Sequence, residues 1–217
     1  MRGLPQPPLL VITDRKQTAE RPVPQVAAAL FAGGCRWLSL REPDLGRSER
    51  VNMLYRLVNL GERAGATVTV HADFEAAMTT GAAGVHLPRH GSINAARAYL
   101  GANALIGIST HDRNEVQHAI ALGADYVTLS PIFPSASKPD YGPHLGLRTL
   151  SEIAKTLPIP ILALGGVDET NAAECLAAGA AGVAIMGAAM RAPDPEGMMR
   201  GLVATLGDAL VSAKARP

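Results

Sequence analysis

The chain has 217 residues, 47% of them apolar and 18% charged, with a formal net charge of +1 and no basic or acidic block. That balance belongs to a globular core and gives no electrostatic footing for nucleic acid or for a membrane surface. The two cysteines, Cys35 and Cys175, sit in apolar helix-like segments, so neither a disulfide framework nor a cysteine metal cluster is expected, and a reducing cytoplasm is the expected setting. The first residues show no signal-peptide core, and the most apolar run, AAGAAGVAIMGAAM (177–190), is too short for a membrane span.

In chain order, LLVIT (9–13) reads as a first strand, followed by a helical VAAALFAGG (26–34) and a second strand closing FAGGCRWLSL (31–40). A long helical segment, RVNMLYRLVNLGERAG (50–65), leads to ATVTV (66–70), and FEAAMTTG (74–81) leads to TGAAGVHL (80–87). INAARAYLG (93–101) precedes ALIGIS (104–109), and EVQHAIALG (115–123) precedes LGADYVTLS (122–130). LRTLSEIAKT (147–156) precedes IPILAL (159–164), and TNAAECLAAG (170–179) precedes AAGAAGVAIMG (177–187); GMMRGLVATLGDAL (197–210) is a last helix. Most of the helical segments end in the glycine expected as a C-terminal cap. Ser92, Asp112 and Asp168 suit N-caps, and Glu115 completes a capping box with Asp112.

Eight short apolar strands alternating with helices indicate a parallel sheet covered on both faces. Eight repeats in this length describe a single (β/α)8 barrel domain over 1–217. An open doubly wound sheet is the competitor; it would carry a glycine fingerprint after its first strand, where TDRKQTAERP stands.

In such a barrel the chemistry lies where strands end. Glycines after strands 7 and 8, Gly165–Gly166 and Gly187–Ala188, suit a phosphate held by backbone N–H groups. The loop SPIFPSASKPDYGPHLGL (130–147) follows strand 6; its prolines limit the entropy lost on ordering, and Ser135, Ser137 and Lys138 offer donors and a cation over the mouth. His71, His86 and His111 end three neighbouring strands, a set that could hold Zn²⁺ only if the rings converge. His118 reads as surface, and Trp37 and Tyr126 as core. Arg41 suits a carboxylate, or else an ion pair with Glu42 or Asp73.

SLREPD, GVHL, IGISTH, GADYVTLSPIFPSASKP and PILALGGV with GAAGVAIMGAA, in that order over about residues 9–190, resemble the thiamine phosphate synthase and thiazole tautomerase family. The resemblance implies a (β/α)8 barrel and a thiazole phosphate ligand, with a homodimer as a family expectation. In the synthase branch it implies coupling of hydroxymethylpyrimidine diphosphate to thiazole phosphate with Mg²⁺. That branch's Gln-x-Arg-x-Lys falls here on Ser39, Arg41 and Pro43. Its two metal-binding aspartates fall on Ala72 and Gly91, with Asp73 one residue away as a potential substitute. Its lid signature is kept in kind as Phe133, Pro134, Ser135, Ser137 and Lys138. The tautomerase branch, which shifts a proton within a carboxylated thiazole phosphate, needs no metal, and its catalytic histidine falls on His111. The expected activity is therefore tautomerisation, with His111 moving the proton and no cofactor. Synthase activity with Mg²⁺, or silent binding of a thiamin-pathway phosphate, are the alternatives.

Overall fold

A computed structural model of the protein describes residues 3–135, 137 and 142–214. Eight parallel strands close into a barrel in sequence order: β1 (Leu9–Ile12), β2 (Trp37–Leu40), β3 (Thr67–His71), β4 (Gly84–Leu87), β5 (Leu105–Thr110), β6 (Tyr126–Leu129), β7 (Ile161–Leu164) and β8 (Gly182–Ile185). β8 pairs back onto β1, with Leu10 opposite Ala184. Around them run α1 (Val23–Ala32), α2 (Arg47–Arg63), α3 (Phe74–Thr80), α4 (Ile93–Leu100), α5 (Arg113–Ala121), α6 (Gly146–Ala154), α7 (Ala172–Ala177), α8 (Gly187–Arg191) and α9 (Pro195–Lys214). This is a (β/α)8 barrel, as the alternation of segments predicts.

Side-chain alternation explains how the strands serve two cores at once. Leu9, Val11, Leu38, Leu40, Val68, Val70, Val85 and Leu87 point outward and pack with the helices. Leu10, Ile12, Trp37, Leu105, Tyr126, Leu162 and Ala184 point inward and fill the barrel. Each fully buried leucine or valine contributes about 1.5–3 kcal/mol. Trp37 and Tyr126 meet edge to face, ring centroids 4.7 Å apart. They fit because their neighbours are small: a side chain at Gly107 would collide with the Tyr126 ring.

Two expected helix starts hold. Ser92 accepts from the N–H of Ala95 (3.1 Å) and Asp112 from that of Glu115 (2.9 Å). The return bond of the capping box is displaced by one residue, since Glu115 accepts from the His111 N–H (2.7 Å). Asp168 does not cap a helix. α7 begins at Ala172, and the Asp168 carboxylate accepts instead from Thr170 N–H (2.9 Å) and the Thr170 hydroxyl (2.6 Å). Both cysteines are buried thiols, and burial pushes each up to about 12. Among the described residues no helix is long and apolar enough to cross a membrane.

Candidate active site

A cavity of about 450 Å³ opens at the carboxyl ends of the strands. The fold brings to it Arg41, His111, Ser135, Ser137, Gly165, Gly166, Gly187 and Ala188. Lys138 lies outside the described residues.

On the β7–β8 side the wall is mostly backbone. Gly165 and Gly166 have φ of 92° and 65°, the left-handed region that glycine occupies without strain. They also lie under the loop that follows β6. A Cβ on Gly165 would sit 2.7 Å from Pro131 Cα, and one on Gly166 would sit 2.8 Å from Phe133 Cβ. Backbone bonds fix this contact: Ile132 N–H donates to Leu164 O and Phe133 N–H to Gly165 O, both at 2.9 Å. Leu145 N–H returns to Pro131 O (2.8 Å) and Gly146 N–H to Ile132 O (3.0 Å), so the loop's two ends are tied together at the rim. Gly187 is needed for another reason. The Arg191 guanidinium and the Ser137 hydroxyl occupy the space a side chain there would take.

On the β2–β3 side the wall is built from side chains. Arg41 donates its backbone N–H to Thr13 Oγ1 (2.9 Å), and its guanidinium has no hydrogen-bond or ion-pair partner among the described residues. Both partners that could have neutralised it are committed. Glu42, 3% exposed, accepts the Arg15 N–H on both carboxylate oxygens (3.0 and 3.1 Å). Burial holds the Glu42 carboxyl above the usual range, against those hydrogen bonds. Asp73 caps α3 by accepting from Ala76 N–H (2.9 Å) and pairs with Arg50 (2.9 Å). It lines an adjoining groove of about 370 Å³, which shares His71 with the mouth.

The positions expected to carry metal-binding aspartates are Ala72 and Gly91. Ala72 has φ of 61° and faces the side groove with Asp73. At Gly91 a Cβ would sit 2.7 Å from Leu87 Cβ, so the β4 loop is packed against having a side chain there. The residues present do not fit the Mg²⁺ site that the synthase branch implies. Among the described residues no three His, Cys, Asp or Glu side chains gather as a metal set, so the three strand-end histidines do not form a Zn²⁺ site either.

The His71 ring lies beside that of His86, centroids 6.0 Å apart, and hydrogen bonds orient the rings of His86 and His111. His111 Nδ1 lies 2.7 Å from the carbonyl of Ser130. A carbonyl only accepts, so Nδ1 carries a proton. His86, just below the mouth, has Nδ1 3.1 Å from the Tyr126 hydroxyl and Nε2 3.0 Å from Ser109 Oγ. Burial first, then the charges of His71 and Arg41, push its imidazole down to about 3, so it is neutral.

Some mouth residues are not singled out by the sequence. Arg191, at the end of α8, reaches back over Gly187 to Gln17 and to Ser137 Oγ (3.1 Å), and Ser137 donates to Gln17 (3.0 Å). This joins the loops after β1, β6 and β8. Gln17 in TDRKQ and Arg191 in GAAMR are single polar residues without a motif, and only closure of the barrel makes them neighbours. Ser130 is visible in the loop after β6, but its carbonyl's role toward His111 is a matter of backbone geometry.

The family model described as thiamine monophosphate synthase matches residues 9–189. A putative thiamine-phosphate synthase of Geobacter sulfurreducens is 41% identical over 91% of this chain and 93% of its own length. A thiamine-phosphate synthase of a Roseiflexus species is 36% identical over 92% of this chain and 85% of its own. Among solved structures, a thiamine phosphate pyrophosphorylase from Pyrococcus furiosus superposes with a TM-score of 0.84 at 28% identity, covering 93% of this chain and 96% of that one. These names speak for the synthase expectation and not for the tautomerase. On the family model's span and the identity of these relatives, the chain belongs to the thiamine monophosphate synthase family.

Proposed function

We propose that the chain is an enzyme of thiamine biosynthesis that binds a thiazole phosphate and moves a proton within it without a metal. The phosphate lies against the backbone of Gly165–Gly166 and Gly187–Ala188, where little side-chain bulk separates an anion from N–H donors. Arg41 takes the substrate carboxylate, with Ser135 and Ser137 closing the mouth over it. His111 takes the proton from one carbon of the ligand on Nε2 and returns it to another. Its Nδ1–H stays bonded to the Ser130 carbonyl throughout, which stabilises the imidazolium formed between the two steps. The observation that carries this reading is the chemistry at positions 72 and 91. One has no carboxylate, the other has no room for one, and Asp73 is held by α3 and Arg50.

A second reading, coupling of hydroxymethylpyrimidine diphosphate to thiazole phosphate, is favoured by a different observation: the relatives above carry the synthase name. The two separate in one assay. Purified protein is given the two synthase substrates, or the carboxylated thiazole phosphate alone, each with Mg²⁺ or with EDTA. Isomerisation that survives EDTA is the expected outcome. Thiamine phosphate formed only with Mg²⁺ would establish the second reading and end the first.

A further inference from the structure

One hydrogen-bond chain inside the barrel ends in the mouth. Tyr126 is fully buried, and its hydroxyl lies 3.1 Å from His86 Nδ1. His86 Nε2 lies 3.0 Å from Ser109 Oγ and 3.3 Å from Thr128 Oγ1. The neutral imidazole has one N–H, so the chain can run in only two directions. If Nδ1 held the proton, the phenol would accept it, and the phenol's own proton would be buried without an acceptor among the described residues. Either direction leaves one buried hydroxyl proton without an acceptor among the described residues, that of Tyr126 or that of Thr128; the phenol is the more acidic donor and the nearer one, 3.1 Å from the ring against 3.3 Å, so the direction in which it donates is favoured. The phenol therefore donates to Nδ1, and Nε2–H is shared between the oxygens of Ser109 and Thr128.

Ser109 is thereby an acceptor on its inner side. Its own O–H has no acceptor among the described residues, and Ser109 lines the mouth. Arg41 lines the same cavity, near enough for its charge to bear on His86. We propose that Tyr126 and His86 are positioning residues that lock Ser109 as a one-way hydrogen-bond donor into the mouth, aimed at the substrate carboxylate that Arg41 holds. This rests on the proposed thiazole phosphate site and deepens it. A carboxylate is acceptor-only, so a fixed donor beside a guanidinium selects it over a ligand that lacks it. Ser109 in β5 and His111 just beyond it then present opposite polarity: Ser109 a proton to bond with, His111 in its proposed role a lone pair to react with.

The test measures dissociation constants for carboxylated and decarboxylated thiazole phosphate by calorimetry, on wild type, Tyr126→Phe, Ser109→Ala and the double variant. The lock predicts that Tyr126→Phe weakens the carboxylated ligand about tenfold, the worth of one net hydrogen bond to a charged group. The decarboxylated ligand should be held as before, and the double variant should bind no worse than Ser109→Ala. Equal weakening of both ligands, or losses that add in the double variant, mean that Tyr126 only supports the core and overturn the proposal. Binding of neither ligand by wild type overturns the site itself, a result distinct from the first. ¹⁵N NMR of the ligand-free wild type reads the lock without any variant: His86 protonated on Nε2 is expected, and protonation on Nδ1 overturns it.

Discussion

The two sides of the barrel mouth are built from different material. On the β7–β8 side the wall is backbone, held by glycines whose conformation or packing admits no side chain. On the β2–β5 side it is a set of side chains, each with a committed partner except the guanidinium of Arg41 among the described residues. A backbone wall is hard to alter by substitution, because every change disturbs the neighbouring loop. A side-chain wall can lose two carboxylates and leave the barrel intact. In the proposed reading the first side keeps the phosphate and the second decides the reaction.

The largest expected effect is on chemistry. His111→Ala should lower kcat by about 10²–10⁴ while leaving the dissociation constant for the thiazole phosphate within a few-fold, measured by single-turnover kinetics and calorimetry. Equal losses in both would move His111 from proton transfer to binding.

The backbone side is tested by Gly166→Ala. The new Cβ meets Phe133 and must adopt a left-handed φ of 65°. Overpacking and strain together should cost roughly 2–4 kcal/mol of stability and loosen the loop after β6, seen in denaturant midpoints and phosphate affinity. A neutral result would mean that the loop does not depend on this contact.

His86 gives the side-chain half a pH signature. Its folded value of about 3 lies below the ordinary 6.5, so between those values the unfolded chain binds a proton that the folded one refuses. Stability from this group is complete above pH 6.5 and falls as the pH drops, by about 1.4 kcal/mol per unit. At pH 4.5 the loss should reach roughly 3 kcal/mol by the same relation, and His86→Gln should flatten that limb of the stability curve.

The smallest expected effect is Ala72→Asp. Aspartate tolerates the left-handed conformation of this position, so stability should change by less than about 0.5 kcal/mol. No Mg²⁺-dependent activity should appear, because Asp73 stays bound to Arg50 and position 91 still has no carboxylate. Metal-dependent coupling in this variant would break the contrast between the two sides.

Much of the fold is legible in the sequence because the strands and helix caps are local signals: a run such as LLVI or GVHL, then a glycine at a helix end. The GG pair after β7 is legible for the same reason. Asp168 misleads because an Asx-type turn and an N-cap use the same residue, and only the bond to Thr170 tells them apart. Gln17, Arg191 and the Tyr126–His86–Ser109 chain join residues far apart in sequence through closure of the barrel. Tyr126 reads as core, and it is; the direction of its hydroxyl is a tertiary fact.

In the proposed function, proton transfer to and from the ligand runs through His111 without a metal. Incubating the protein with carboxylated thiazole phosphate in D₂O and following deuterium uptake by NMR tests it most directly. Uptake at the same rate with Mg²⁺ or EDTA, and its loss in His111→Ala, is the predicted result. Uptake that needs Mg²⁺, or that persists unchanged without the His111 imidazole, would contradict it.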